Sequence, residues 1–204
     1  ILDEADEMLN MGFKEDLDNI LSYTGDAKNT WLFSATMPKE IRNIVKSYMS
    51  KPVEIKVSSG NQLNENIEHQ YAIVKSSDKF EALKRVLDVE VGFRGVIFCR
   101  TRIKTQQLAD DLNKSGYQSE ALHGDLSQAQ RDRVMKRFKK HSLQVLVATD
   151  VAARGIDVNN LTHVIHYSLP DDPSYYTHRS GRTARAGNNG ISLSILTNRD
   201  MRKL

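Results

Sequence analysis

Two periodicities of apolar residues alternate along this chain and mark out its elements. At helical spacing, Leu17, Ile20 and Leu21 predict a helix over 14–23. Ile41, Ile44, Val45 and Tyr48 predict a second over 39–49, with Pro38 well placed in its first turn. Between them Thr30–Phe33 reads as a short buried-type strand, with Trp31 as core or rim, and Val53–Val57 alternates like a strand. The pattern then becomes regular. Strands are predicted over 67–74, 95–99, 119–122, 145–148, 164–167 and 191–196, and helices over 78–89, 103–114, 128–139 and, in short form, 173–183. Asp78 with Glu81, and Ser127 with Gln130, have the capping-box spacing of a helix start.

The segment 58–66 changes to Ser, Gly, Asn and Gln and reads as a linker. It leaves residues 1–57 as one piece and 67–204 as another. Strands alternating with helices predict an α/β fold, a parallel sheet with helices on both faces and right-handed crossovers.

Composition narrows this only a little. The 204 residues, 39% hydrophobic, suffice for one large domain or for one domain and part of another. A net charge of +3 means that any affinity for a polyanion comes from local patches. The single cysteine, Cys99, sits in an apolar strand and cannot make an internal disulfide, so a core role and a reducing, cytoplasmic compartment are expected. No apolar run has the length of a membrane span and no signal peptide is recognisable, so no membrane association is expected. The six histidines lack metal-ligand spacing. Ile1-Leu2 reads as the end of a strand already under way, which predicts a piece of a longer protein.

In open α/β sheets ligands bind beyond the carboxyl ends of the strands. Five polar clusters fall there: Asp3-Glu4 after Leu2, Ser34-Ala35-Thr36 after Phe33, Arg100-Thr101-Arg102 after Cys99, His123-Gly124-Asp125 after Leu122, and Thr149-Asp150 after Ala148. Adjacent carboxylates at a strand end suit a hydrated magnesium ion and a hydrolytic water. Each cluster also has a plainer reading. Asp3-Glu4 can be surface charge, Ser34 and Thr36 an N-cap for the helix after Pro38, and Asp157 a turn residue or a ribose contact. The basic helix with Gln130 and Arg133 can be a solvated face or an RNA-backbone contact. From His178 to Gly187 three arginines, Arg179, Arg182 and Arg185, recur every third residue, and no acidic residue lies between Pro173 and Arg199. Such guanidiniums beside glycines suit phosphate, although a solvated basic loop is the commoner fate of an arginine cluster taken alone.

In order, Asp3-Glu4-Ala5-Asp6, Ser34-Ala35-Thr36, Val96–Thr101, Gln130–Arg133, Ala148–Asp157 and His178–Gly187 resemble the motifs of the DEAD-box RNA helicases of superfamily two. The resemblance covers essentially the whole chain. It implies two RecA-like domains closing over ATP and single-stranded RNA, the first represented only by its end. It also implies roles. Asp3 holds Mg2+ through water, and Glu4 serves the attacking water. Asp6, Ser34, Thr36 and His178 couple the domains, and Asp157 touches the ribose. Arg182 and Arg185 reach the transferring phosphate as arginine fingers, and Arg179 gives structural support. RNA runs over Arg100, Thr101, Gly124, Arg133 and Thr149, held by its backbone with little sequence preference. Ala184 stands where the family usually has glycine, and Ser180 where it often has an aliphatic residue. The family's Gly-Lys-Thr phosphate loop is absent, with no Gly-Lys dipeptide anywhere. ATP-dependent unwinding is therefore expected of an intact protein, and of this chain negligible ATP turnover and at most weak, salt-sensitive RNA binding. The rival readings are a non-catalytic RNA clamp of the same fold and a superfamily two DNA translocase. No protein partner is indicated.

Overall fold

Leu17 and Leu21, one turn apart, meet Ile44 from a different helix in a small buried cluster, with Leu2, Met8, Leu9, Leu32 and Tyr48 packed against it. The computed structural model describes residues 1–24, 29–57, 64–154, 158, 161–172, 174–184 and 187–202. They fall into two compact units, Ile1–Gly60 and Asn61–Leu204. The smaller unit carries that cluster on helices α1 (Ala5–Asn10), α2 (Lys14–Ser22) and α3 (Lys39–Tyr48). Helix α1 escapes the periodicity because its six residues complete fewer than two turns.

Two strand expectations for this unit need correction. Of Thr30–Phe33 only Leu32 is paired, in a single parallel bridge to Leu2, while Trp31 is 62% exposed instead of core or rim. Val53–Val57 is not a strand: Val53, Ile55 and Val57 are 85%, 83% and 96% exposed. Alternation makes a strand only where a neighbour supplies ladder hydrogen bonds and a surface for the apolar side. Among the described residues Val53–Val57 has neither.

The larger unit is one sheet of six strands: β1 (Ile67–Ile73), β2 (Gly95–Phe98), β3 (Ser119–Leu122), β4 (Val145–Ala148), β5 (His163–His166) and β6 (Gly190–Leu196). They lie in the order β1-β6-β5-β2-β4-β3, every neighbouring pair parallel. Between and after them come α4 (Lys79–Val89), α5 (Arg102–Lys114), α6 (Gln128–Lys139), α7 (Asp150–Ala153) and α8 (Ser174–Ser180). The central strands read as unbroken apolar runs because both faces are covered. Ile97, Cys99, Val145, Val147 and Ile165 face Leu83 and Leu87 of α4 and Leu108, Ala109 and Leu112 of α5. Their neighbours Val96, Phe98, Leu146, Ala148 and Val164 face Val134 and Phe138 of α6 and Ala152 and Ala153 of α7. The parallel sheet with helices on both faces is thus as the alternation predicts.

Local chemistry sets the helix starts. The Ser127/Gln130 capping box forms at α6: the Gln130 N–H donates to Ser127 Oγ at 3.3 Å and the Ser127 N–H to Gln130 Oε1 at 2.8 Å. The Asp78/Glu81 box does not. Asp78 ends a 3-10 turn with helical φ and ψ of −98° and −2°, and its carboxylate accepts from Ser77 Oγ. Glu81 pairs instead with Lys84 at 2.8 Å. Cys99 is fully buried, which pushes its thiol up to about 12. Among the described residues no helix is long and apolar enough to cross a membrane.

Candidate functional site

In the smaller unit a sharp turn follows the bridged Leu2. Glu4 adopts left-handed φ and ψ of 51° and 46°, costly for a residue with a Cβ, and α1 starts directly after it. Asp3 is exposed, and its Oδ1 accepts from the Glu4 N–H at 3.0 Å. Asp6 is 5% exposed and is held by Ser34 and Thr36. Its Oδ2 accepts from the Thr36 hydroxyl at 2.7 Å and the Thr36 N–H at 2.8 Å. The Asp6 N–H donates to Ser34 Oγ at 3.2 Å, and that hydroxyl donates to the Thr36 carbonyl at 2.7 Å. Burial alone would raise the Asp6 carboxyl, but the hydrogen bonds from Thr36, Ser34 and the Glu7 N–H outweigh it and hold it below its ordinary value. The N-cap alternative for Ser34 and Thr36 therefore falls. Helix α3 has Pro38 at its N-cap and no side-chain cap.

In the larger unit, β2, β4 and β3 are adjacent and parallel, so the residues after them share one edge. Arg100 and Thr101 follow β2, Thr149 follows β4 and Gly124 follows β3. Arg100 donates to the Leu169 carbonyl at 3.4 Å and pairs with Asp171 at 3.5 Å, contacts weak enough for an anion to displace. The Thr101 hydroxyl accepts the Lys104 N–H and so starts α5. Thr149 is at the N-cap of α7, yet its hydroxyl does not cap it. Gly124 is exposed, beside an ion pair of Arg102 with Asp125. Arg133 is exposed on α6, whose Gln130 is committed to the capping box.

Helix α8 carries the first arginine of the stretch, Arg179, and Arg182 follows the helix. Arg179, 2% exposed, finds its counter-ion in Asp150 at the start of α7, with Nε on Oδ1 at 2.5 Å and Nη2 on Oδ2 at 2.7 Å. Its Nη1 donates to the Ser168 carbonyl at 2.7 Å. Arg179 is therefore structural. The sequence carried one usable sign of it. Tyr176 and Arg179 share a face of the helix, and a cation on an inward face requires an acid. Nothing local pointed to Asp150. Beneath α8 lies His166, whose imidazole burial and the neighbouring Arg179 cation push down to about 3, so it stays neutral. It stacks on Tyr176 at 4.5 Å and bonds Ser192 at 3.1 Å, and Ser192 bonds Ser180 at 2.9 Å. Ser180 thus answers a buried polar pair. His178 and Arg182 are half-buried, His178 edge-on to Tyr175 at 6.2 Å. Ala184 has a φ of 54°, the left-handed region that favours glycine. Asp157 and Arg185 lie outside the described residues.

Among the described residues no three His, Cys, Asp or Glu side chains are gathered to hold a metal directly. One exposed carboxylate, Asp3, fits magnesium that keeps its water shell. Half-buried Arg182, beside an exposed turn, fits a phosphate.

Two family models match. "DEAD/DEAH box helicase" covers residues 1–44 and "Helicase conserved C-terminal domain" covers residues 78–187. The DEAD-box ATP-dependent RNA helicase CshA of Geobacillus kaustophilus is 46% identical over 204 residues, 100% of this chain and 44% of that protein. The chain thus spans well under half the length of this curated relative. A DEAD box protein from Methanococcus jannaschii is 48% identical with a TM-score of 0.66, covering 99% of this chain and 54% of that one. Dbp5 of S. cerevisiae bound to RNA and ADP BeF3 is 28% identical with a TM-score of 0.88, at the same 99% and 54% coverage. With both models in the order of the motifs and a RecA-like parallel sheet beneath the second, the chain belongs to the DEAD-box helicase family.

Proposed function

We propose that this chain supplies the RNA-gripping edge and the arginine-bearing stretch of an ATP-dependent RNA helicase that remodels RNA duplexes. Residues 1–57 are the end of a first RecA-like domain, 58–66 a linker and 67–204 a second RecA-like domain. The observation that carries this is the edge formed by adjacent parallel strands. Arg100 and Thr101, Thr149, and Gly124 end β2, β4 and β3 side by side, a track for a sugar-phosphate backbone with nothing in it that reads a base. Exposed Arg133 adds a phosphate contact from α6. Among relatives, CshA is named an ATP-dependent RNA helicase and yeast Dbp5 carries RNA and ADP BeF3, which supports RNA and ATP as ligands here.

When bound, ATP with Mg2+ supplies the phosphoryl transfer that drives the cycle. Asp3 would hold the ion through its waters, and Glu4 would accept a proton from the attacking water. Asp6, Ser34 and Thr36 make one hydrogen-bonded unit, and with His178 they would form the coupling set. Asp157 would contact the ribose, and Arg182 and Arg185 would stabilise the charge on the transferring phosphate.

Fluorescence anisotropy of this chain with a labelled single-stranded RNA, against DNA of the same sequence, tests the RNA edge. RNA is expected to bind in preference to DNA. Two phosphate contacts, from Arg100 and Arg133, predict that affinity falls roughly 7-fold between 50 and 200 mM salt. Arg133→Ala should lower the salt slope by about 0.7. Equal affinity for DNA, or no salt dependence, overturns the proposal. ATP turnover by this chain alone should be negligible. In the whole helicase, Glu4→Gln should lose turnover and hold RNA longer.

A further inference from the structure

We propose that Asp125, steadied by Arg102, selects RNA over DNA on this edge by accepting a hydrogen bond from a ribose 2′-hydroxyl. The proposal deepens the RNA reading above and rests on it. Arg102 follows β2 and Asp125 follows β3, and between those strands lies β4, with Thr149 at its end. Arg102 Nη1 donates to Asp125 Oδ1, which places an acid among the groups of the track. Both side chains are more than half exposed, 61% and 57%, and among the described residues Asp125 Oδ2 has no protein partner. So exposed an ion pair contributes little to a fold. Nor does Asp125 cap a helix, because α6 begins with the Ser127/Gln130 capping box.

The turn that carries the acid is fixed from below. His123 is buried, with Nε2 3.1 Å from Gln106 Oε1, and its carbonyl accepts from the Leu126 N–H at 3.2 Å. Gln106 lies one helical turn after Arg102 on α5, so a single face of α5 holds both the base of the turn and its acid. Gly124 has no side chain, and a Cβ there would meet only Arg102 Cδ, at 3.9 Å. A sugar can therefore come down onto the turn beside Asp125. What it brings decides the outcome. A carboxylate that carries its charge only accepts hydrogen bonds. The phosphates and ring oxygens of a nucleic-acid backbone also only accept, and the 2′-hydroxyl of ribose is the one donor among them. DNA lacks it and offers Asp125 nothing but like charge. Arg102 is here a positioning residue. Its charge is answered by Asp125, so the pair adds nothing to the phosphate contacts of Arg100 and Arg133.

Fluorescence anisotropy of this chain at low salt tests the assignment with three labelled strands: oligouridine, its 2′-deoxy form and its 2′-fluoro form, which keeps a ribose-like pucker but has no donor. The wild type should prefer oligouridine to both. Asp125→Ala should lower the ratio of RNA to DNA affinity by about 2- to 12-fold, the contribution of one ordinary hydrogen bond, without weakening DNA binding. The preference for oligouridine over the 2′-fluoro strand should shrink by the same factor. Arg102→Gln should lower the ratio as well and leave the salt slope for RNA unchanged. A pair that served the fold alone would, in Asp125→Ala, weaken RNA and DNA alike; that result, or an unchanged ratio, overturns the proposal. A salt slope lower by about 0.7 in Arg102→Gln would make Arg102 a phosphate contact and overturn its positioning role. A wild type that prefers RNA while Asp125→Ala keeps the full preference sinks this proposal alone. A wild type with no preference for RNA refutes the RNA reading, and this proposal falls with it.

Discussion

Thr36→Val isolates one hydrogen bond in the most tightly bonded part of the smaller unit. The substitution keeps the shape of the side chain and the Thr36 N–H bond to Asp6 at 2.8 Å, and deletes the hydroxyl bond at 2.7 Å. A hydrogen bond to a charged group contributes about 1.5–3 kcal/mol, and water cannot readily replace it around a carboxylate that is 5% exposed. The low end, about 1.5 kcal/mol, is expected because the Glu7 and Thr36 amides still serve Asp6. With a urea slope of about 1 kcal/mol/M, the midpoint should fall by about 1.5 M. The assay is intrinsic fluorescence, because the only tryptophan, Trp31, lies in this unit and reports its unfolding separately. The pH dependence checks the same account. The folded Asp6 carboxyl is held below its ordinary 3.8, so its contribution is full above that value and is lost as pH falls through the folded pKa. Thr36 supplies the largest of the lowering influences, so the wild type should lose more stability than the variant between about pH 5 and pH 2. A midpoint shift below about 0.3 M, or identical acid profiles, would refute the reasoning.

Other substitutions probe the larger unit. Arg179→Met leaves Asp150 without its partner; because Asp150 is partly open to water the cost should be near the lower end for a broken buried pair, about 3 kcal/mol, measured by thermal circular dichroism. A loss under about 1 kcal/mol would mean the pair behaves as a surface contact. Gly95→Ala would set a Cβ 2.6 Å from the His163 carbonyl, where backbone must move, and should cost at least about 1–3 kcal/mol in the same assay. Cys99, with its thiol pushed up to about 12 by burial, should resist a thiol reagent at pH 8 until the sheet unfolds. Rapid labelling of folded protein would contradict that.

The six strands of the larger unit and four of its five α-helices were legible because each apolar run is bounded by turn residues; the four-residue α7 is too short to show a period. What the sequence hid was set by partners distant along the chain. Val53–Val57 alternates correctly yet lacks a neighbour, and periodicity carries no information about neighbours. Asp78 and Glu81 have capping-box spacing, but the preceding 3-10 turn gives Asp78 helical angles and turns its carboxylate to Ser77. The arginine stretch showed that an anion was needed. That one of its members is already satisfied by Asp150, 29 residues earlier, is visible only in three dimensions. The departure at Ala184 was recognisable as unusual, while its meaning, a side chain kept in left-handed backbone, needed the φ angle.

The strand order has a consequence for how the larger unit is made. Strand β1, the first to leave the ribosome in this unit, pairs along its whole length with β6, the last, Ile67 against Gly190 and Ile73 against Leu196. Among the described residues its other side is a sheet edge. During synthesis β1 therefore waits, with Tyr71 and Ile73 still outward-facing in the finished fold, while β2 to β5 find one another. Closure of the sheet is a late, long-range event, the kind that slows folding and leaves an unpaired strand open to the wrong neighbour. A pulse of hydrogen exchange during refolding should find β1 and β6 protected together, after the centre.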